Sequence, residues 1–128
     1  MATYDDVARL VAELPETAEG TRYRGRAWFV AGKAFVWERP FSKADVTRFG
    51  EDPVPDGPIL AVSVDDLGEK EALLAEARPG FFTIPHFDGY PAVLVQLDVV
   101  SPAHLAEAVE DAWFAKAPTG LAGRRRPV

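Results

Sequence analysis

Two short apolar runs, at residues 27–30 and 34–37, constrain the fold more than any other feature of this chain. Both runs are rich in aromatic and β-branched residues, which favour β-strands. Only residues 31–33, an Ala-Gly-Lys sequence, separate them. So short a connection joins two strands as an antiparallel hairpin, because a parallel pair needs a crossover of a dozen residues or more. The sequence therefore predicts a β-hairpin over residues 27–37, with its turn at residues 31–33.

The side chains of this hairpin are expected to divide between the two faces of a sheet. Because successive side chains of a strand point to opposite faces, Trp28 and Val30 should share one face. By the same alternation, Phe35 and Trp37 should share one face of the second strand. One face of each pair is expected in the core, since large aromatics usually supply buried area. An exposed Trp28 or Trp37 would instead leave an apolar patch on an uncovered sheet face.

Helix and strand signals on either side of the hairpin indicate mixed α and β structure. Thr3 can cap a first helix that Pro15 ends, and Ser101 followed by Pro102 is a strong start for the last helix. Residues 16–25 are polar and predict an irregular segment. The predicted order is helix 4–14, strands 27–30 and 34–37, strand 59–64, a helix from Asp65 or Asp66 to about 77, strands 81–84 and 92–99, and a helix from 102 to about 117.

Hairpin-type connections dominate this order, so the fold class is expected to be α+β. The predicted architecture is an antiparallel sheet of about five strands with the N- and C-terminal helices packed on one face. The length suits a single domain at residues 1–120, followed by a basic flexible tail at 121–128. Apolar residues at helical spacing are expected in the core: Leu10, Leu14, Leu105, Val109 and Trp113.

Residues 41–58 interrupt the pattern of strands. Ser42 and Asp45 have the spacing of a helix-capping pair, so a short helix can begin there. The following residues, 50–58, are rich in proline, glycine and aspartate, which predicts a loop. This segment is the best candidate for a region that becomes ordered on binding.

Composition excludes several classes of protein. The chain has no cysteine, which excludes disulfides and thiolate metal sites. Its apolar runs are far shorter than the ~20 residues needed to span a bilayer, and the N-terminus does not resemble a signal peptide. The expected location is therefore the cytoplasm, with no membrane association.

Positive charge is concentrated between residues 22 and 48. This segment has seven basic residues against two acidic ones, a net charge of +5, whereas the whole chain carries −6. Such a distribution can form a local surface that attracts anions on a protein that is acidic overall. The basic residues are Arg22, Arg24, Arg26, Lys33, Arg39, Lys43 and Arg48.

Four segments in a characteristic order resemble a known family. They are Leu14-Pro15-Glu16, Phe29-Val30-Ala31-Gly32-Lys33-Ala34-Phe35, Pro79-Gly80-Phe81-Phe82-Thr83-Ile84-Pro85-His86 and Asp111-Ala112-Trp113-Phe114-Ala115-Lys116-Ala117-Pro118. The chain is similar to the MmcQ/YjbR family over nearly its whole length. The resemblance implies a small bacterial α+β domain with a CyaY-like fold, in a family commonly labelled DNA-binding. It implies no catalytic residues, and residues 41–58 form a longer insert than the family pattern has.

Metal binding has weak support in the sequence. His86 and Asp88 are two residues apart in a turn, and His104 and Glu107 are three apart on the last helix, but no clear third ligand accompanies either pair. A frataxin-like fold also raises the question of iron on an acidic helix face. The acidic residues near the first helix are scattered around and beyond it, so no metal or cofactor is expected: Asp5, Asp6, Glu13, Glu16 and Glu19.

Catalysis also has little support. Thr83, His86, Asp88 and Tyr90 are reactive residue types that lie close together in sequence. No serine or cysteine has a recognisable nucleophile motif, and no glycine-rich phosphate-binding loop is present. The protein is therefore expected not to be an enzyme.

The sequence leaves two functional hypotheses. The first is weak, non-specific binding of duplex DNA as a monomer, through the seven basic residues of 22–48, because arginine and lysine contact phosphates. An extended chain would place Arg22, Arg24 and Arg26 on one side. The alternative is a non-catalytic module that binds a protein or a small ligand on an exposed face of the sheet. Convergence of the basic residues with aromatic side chains would favour nucleic acid.

Overall fold

A six-stranded antiparallel sheet organises the computed structural model, which describes residues 1–125. The strands lie in the order β1-β2-β3-β4-β6-β5, so the first four follow the chain and β6 inserts between β4 and β5. The elements are α1 (Tyr4–Ala12), β1 (Thr17–Arg22), β2 (Gly25–Val30), β3 (Lys33–Glu38), α2 (Lys43–Phe49), β4 (Ile59–Ser63), α3 (Leu67–Ala75), β5 (Phe81–Phe82), a 3₁₀ helix (Pro85–Phe87), β6 (Ala92–Gln96), α4 (Pro102–Lys116) and α5 (Thr119–Arg125). The predicted α+β class and antiparallel sheet are confirmed.

Side-chain caps define where the helices begin. Thr3 caps α1 in a reciprocal capping box with Asp6, and Ser42 forms the same box with Asp45 at α2. Ser101 caps α4 through the backbone N–H of His104. Each cap satisfies backbone donors that the first turn of a helix leaves without partners. The predicted starts of these three helices are confirmed.

Helices α1 and α4 pack on one face of the sheet and enclose the larger core. Its largest fully buried side chains include Trp28 from β2 and Trp113 from α4. The Trp113 indole donates to the Pro15 carbonyl at 3.0 Å, which joins the end of α1 to α4. Four of the five predicted core residues are buried, but Leu10 is only partly buried at the edge of this core.

The sheet has an additional strand that the sequence does not predict. Residues 17–22, within the segment expected to be irregular, form β1 and pair with β2 from Thr17–Val30 to Arg22–Gly25. Strand β1 is an edge strand with largely exposed side chains, so it lacks the apolar signal of a buried strand. Its backbone hydrogen bonds to β2 stabilise it despite its polar composition.

A β-bulge in the central hairpin changes the predicted faces. Trp28 pairs with Val36 whereas Phe29 pairs with Ala34, so Phe35 is an extra residue in β3. Phe35 therefore lies in the helix-side core, and Trp37 lies on the opposite face. The expectation that these two aromatics share one face is wrong, whereas Trp28 and Val30 do share the helix side.

The opposite face of the sheet has a smaller core of its own. Trp37, Ile59, Ala61 and Leu94 are buried there beneath Phe87 of the 3₁₀ helix, and further aromatic side chains pack around them: Phe29, Phe41, Phe49 and Phe82. Trp28 and Trp37 are 1% and 3% exposed, so the hypothesis of an exposed tryptophan patch is wrong. The insert 41–58 supplies part of this cover through Phe41 and through Phe49, the last residue of α2.

The C-terminal residues extend the helical layer. Residues 121–125, which the sequence assigns to a basic tail, belong to α5, and Leu121 and Ala122 pack against the helix-side core. Residues 126–128 of that predicted tail lie outside the described residues. Within residues 1–125, no helix combines the length and apolar character needed to cross a membrane.

Candidate functional site

A cleft of about 520 Å³ opens on the smaller-core side, at the end of the sheet where β1 turns into β2 and β3 ends. The 3₁₀ helix and the residues that follow it form the other wall. The lining residues are Arg22, Tyr23, Trp37, Glu38, Arg39, Pro40, Ser42, His86, Phe87 and Tyr90. Their mixture of aromatic surface and a few polar groups is typical of small-ligand sites, which measure roughly 300–1,000 Å³.

A tight turn places Arg22 at the mouth of this cleft. Tyr23 and Arg24 join β1 to β2 with φ angles of 51° and 67°, the left-handed conformation of a two-residue hairpin turn. Arg22 therefore ends β1 at the same end of the sheet as the last residues of β3, with β2 between the two strands. Ala27 of β2 lies beside Trp37 and is too small to separate that ring from Arg22.

Arg22 is the cation with the most aromatic surroundings in the cleft. Its guanidinium carbon lies 4.4 Å from the Trp37 ring centroid and 5.1 Å from that of Tyr23, distances typical of cation–π contacts. Burial alone would lower the pKa of Arg22, but the Tyr23 and Tyr90 hydroxyls beside it raise the pKa above its usual range. Among the described residues, none places a carboxylate within ion-pair distance of Arg22. Its charge is therefore available to an anion.

Arg39, the second arginine of the cleft, is already neutralised. Its Nη2 lies 3.0 Å from Oδ2 of Asp45, whose side chain is 1% exposed. Its Nη1 donates to the Pro40 carbonyl at 2.5 Å, and its guanidinium lies 5.4 Å from the Phe87 ring centroid. Arg39 thus holds α2 against the 3₁₀ helix, and its charge is less available than that of Arg22.

The turn at residues 85–90 forms the wall of the cleft opposite the ends of β1 and β3. The Tyr90 ring meets the Trp37 ring edge-on at 6.4 Å and the Phe87 ring edge-on at 5.5 Å. His86 is exposed at the rim. Behind the turn, Lys70 of α3 donates to two of its backbone carbonyls, although no sequence pattern singles out this lysine.

The seven predicted basic residues do not converge on one surface. Arg22 and Arg39 line the cleft, Arg24 is exposed at the adjacent hairpin turn, and Lys43 follows the cleft residue Ser42. The other three lie elsewhere or are partly paired: Arg26, Lys33 and Arg48.

The position of Arg26 shows why Arg22, Arg24 and Arg26 do not share one side of the sheet. It lies on the helix side, where its guanidinium pairs with Asp5 at 2.9 Å and Glu19 at 3.0 Å and sits 5.2 Å from the Trp28 ring centroid. The chain reverses at Tyr23 and Arg24, so Arg22 and Arg26 occupy different strands and opposite faces. The expectation that Arg22, Arg24 and Arg26 share one side is wrong.

Lys33 and Arg48 are not among the residues that line the cleft. Lys33 begins β3 at the opposite end of the hairpin, about 17 Å away at the usual rise per strand residue. Arg48 is half-exposed on α2, with its Nη1 3.9 Å from Oδ1 of Asp45. Only part of the positive charge of residues 22–48 therefore faces the cleft.

The predicted reactive cluster is also divided by the structure. Of its four members, His86 and Tyr90 line the cleft, whereas Thr83 and Asp88 do not. His104 packs edge-on against Phe81 near the start of α4, far in sequence from His86. Within residues 1–125, no three histidine, aspartate or glutamate side chains are placed to hold a metal ion together.

Comparison with known proteins identifies the family. A family profile described as YjbR matches residues 12–115, which include every strand and all the residues that line the cleft. This chain belongs to the YjbR family. The resemblance in the sequence, carried by its four segments, is thereby confirmed.

Two mycobacterial proteins are similar to this YjbR-family protein over almost its whole length. An uncharacterised protein of Mycobacterium tuberculosis strain H37Rv is 48% identical over 124 residues, which cover 94% of this chain and 93% of the relative. An uncharacterised protein of Mycobacterium bovis matches with the same identity and coverage. No solved structure matches the chain.

Proposed function

We propose that this YjbR-family protein is a non-catalytic binding protein for a small anionic ligand with a planar ring, of the size and chemistry of a mononucleotide. The observation that carries the proposal is the position of Arg22, a guanidinium without a carboxylate partner among the described residues, held against Trp37 inside a cleft. A guanidinium in this setting offers several fixed donors to a phosphate or carboxylate. The cytoplasmic location and the monomeric state predicted from the sequence remain predictions.

The remaining walls fit the other parts of such a ligand. Tyr90 and Tyr23, which are 40% and 80% exposed, present aromatic surface on which a planar ring can stack, and buried Phe87 packs behind Tyr90. Glu38 supplies an acceptor for an amino or hydroxyl group of the ligand. Inorganic phosphate would use only the cation, and a nucleoside only the rings and Glu38, so a ligand with both parts should bind more tightly than either.

Calorimetric titration with AMP, adenosine and inorganic phosphate tests the proposal. AMP should bind, and both fragments should bind more weakly. Arg22→Gln should weaken AMP binding at least about tenfold, or ~1.4 kcal/mol, which is the size of one charge-assisted hydrogen bond. Quenching of Trp37 fluorescence would place AMP in the cleft, since Trp28 and Trp113 lie in the other core.

Arg26→Gln is the matched control. It removes an arginine of the same hairpin that also sits over a tryptophan, but on the helix side. AMP affinity should be unchanged in this variant. Equal losses in Arg22→Gln and Arg26→Gln, or no heat with AMP in the wild type, would contradict the proposal.

Duplex DNA is the second proposed ligand, and the rim of the cleft supports it. Arg24 and Lys43 are exposed there, and within the described part of the chain neither has an ion-pair partner. With Arg22 they give about three phosphate contacts. The sequence predicts seven basic residues for this role. The net charge of −6 opposes non-specific association, so binding should be weak.

Fluorescence anisotropy with a labelled duplex at several salt concentrations tests this second proposal. Three phosphate contacts predict a slope of about −2 to −3 for log affinity against log salt. Replacing Arg24 and Lys43 with alanine should weaken binding to all sequences alike and flatten the slope by about 1–2. Lys33→Ala, at the far end of the hairpin, should leave the slope unchanged. Absence of binding at low salt would exclude duplex DNA.

A further inference from the structure

We infer that Lys70 is a positioning residue for the cleft, because its buried ammonium fixes the turn at residues 85–90 that forms one wall. The inference rests on the proposed function, since the position of this wall matters only if the cleft takes a ligand. Lys70 touches the backbone of the turn rather than the space inside the cleft, so its effect on a ligand would be indirect.

The burial of Lys70 is unusual among the lysines of this chain. Lys70 is only 7% exposed, whereas the other three lysines are exposed or partly exposed. Its Nζ donates to the Phe87 carbonyl at 2.6 Å and to the Tyr90 carbonyl at 2.9 Å. Burial lowers the pKa of Lys70, and the nearby charge of Asp88 acts in the opposite direction. Burying an ammonium is costly, so two charge-assisted bonds to one turn indicate a specific role.

Besides the packing of Phe87 and Tyr90, Lys70 supplies the hydrogen bonds that attach this turn to α3. The turn's other backbone bonds are local: Phe87 N to Ile84 O, Asp88 N to Pro85 O, and Tyr90 N to Phe87 O. Among the described residues, only Lys70 donates hydrogen bonds to the 85–90 backbone from outside residues 84–92. The two carbonyls that it binds flank Asp88 and Gly89, so the ammonium fixes both ends of the tip.

Removal of the ammonium should loosen the turn without unfolding the protein. The Phe87 carbonyl also accepts from Tyr90 N at 3.0 Å, and the Tyr90 carbonyl accepts from Ala92 N at 2.8 Å. Neither acceptor would therefore lose its last partner in a Lys70→Met variant. What would be lost is the link between α3 and the wall that carries Phe87 and Tyr90.

Hydrogen exchange and calorimetry on the full chain test this inference. In Lys70→Met without ligand, the hydrogen-bonded amides of Phe87, Asp88 and Tyr90 should exchange about five- to tenfold faster, while those of β4 and β2 keep their rates. The dissociation constant for AMP should rise about tenfold. Lys70→Arg, which keeps charged donors, should recover part of both effects. Lys33→Met, an exposed lysine replaced at the other end of the sheet, is the matched control and should change neither.

Failure of this inference and failure of the proposed function would give different experimental results. Unchanged exchange at residues 86–90 in Lys70→Met would overturn the inference even if the wild type binds AMP. Faster exchange throughout the chain, or faster local exchange with unchanged AMP affinity, would also overturn it, because Lys70 would then be structural only. A wild type that does not bind AMP would instead refute the proposed function.

Discussion

At the scale of single residues, Asp45 connects helix α2 to the cleft. Its buried carboxylate accepts from the Ser42 backbone N–H at 3.0 Å and pairs with Arg39 at 3.0 Å. Asp45→Ala would remove half of the capping box and leave Arg39, whose side chain is 16% exposed, without its carboxylate. The expected loss is about 3 kcal/mol of unfolding free energy, measured by urea denaturation. Asp45→Asn keeps an acceptor and should lose less; equal stability of Asp45→Ala and wild type would contradict this role.

The same carboxylate predicts how stability changes with pH. Burial alone would raise the pKa of Asp45, but the Ser42 N–H and the Arg39 guanidinium outweigh burial and hold the pKa below its ordinary value of 3.8. A folded-state pKa below the unfolded one stabilises the protein above the unfolded value, and this contribution is lost as the pH falls through the folded value. The stability gap between wild type and Asp45→Asn should therefore be full at pH 6 and smaller at about pH 3. A gap that is constant with pH would show that the charge of Asp45 is not responsible.

At the scale of secondary-structure elements, α4 holds the helix-side core together. Leu105 is 2% exposed and packs in that core, so Leu105→Ala should cost about 2–5 kcal/mol through lost burial and the remaining cavity. Leu67→Ala is the matched control, because Leu67 begins α3 and is 50% exposed. That variant should change the free energy of unfolding by less than about 0.5 kcal/mol. If chemical denaturation gave similar losses of unfolding free energy for Leu105→Ala and Leu67→Ala, the prediction that α4 stabilises the core through Leu105 would be wrong.

The elements differ in how well the sequence predicts them. Capping residues such as Thr3 and Ser101 act within one turn, so local sequence is sufficient to place the starts of α1 and α4. Strand β1 has no comparable local signal, because its partner strand rather than its own side chains specifies it. The bulge at Phe35 depends on the pairing of β2 with β3, and strict alternation therefore assigned this residue to the wrong face. Where tertiary pairing decides the structure, residue pattern alone is insufficient.

At the scale of the whole molecule, the cleft combines segments that are distant in the chain. Arg22 and Trp37 come from the basic segment 22–48, whereas Phe87 and Tyr90 come from a turn about 50 residues after Trp37. The sequence indicated both the basic segment and the reactive turn, but no spacing rule predicts that they face each other. Lys70 is less predictable still, because a single lysine in a helix is ordinarily solvated.

Ligand binding should also be measurable in the stability of the whole molecule. If AMP binds only the folded state, AMP at 100 times its dissociation constant adds about 2.7 kcal/mol to the unfolding free energy. For a chain of 128 residues this corresponds to a rise in Tm of roughly 10 °C. In Arg22→Gln with tenfold weaker binding, the same AMP concentration would add only about 1.4 kcal/mol, so the rise in Tm should be about half as large. Arg26→Gln should keep the full rise, measured from its own ligand-free Tm. An equal rise with adenosine at the same concentration would show that the anionic group, and with it Arg22, does not contribute to recognition.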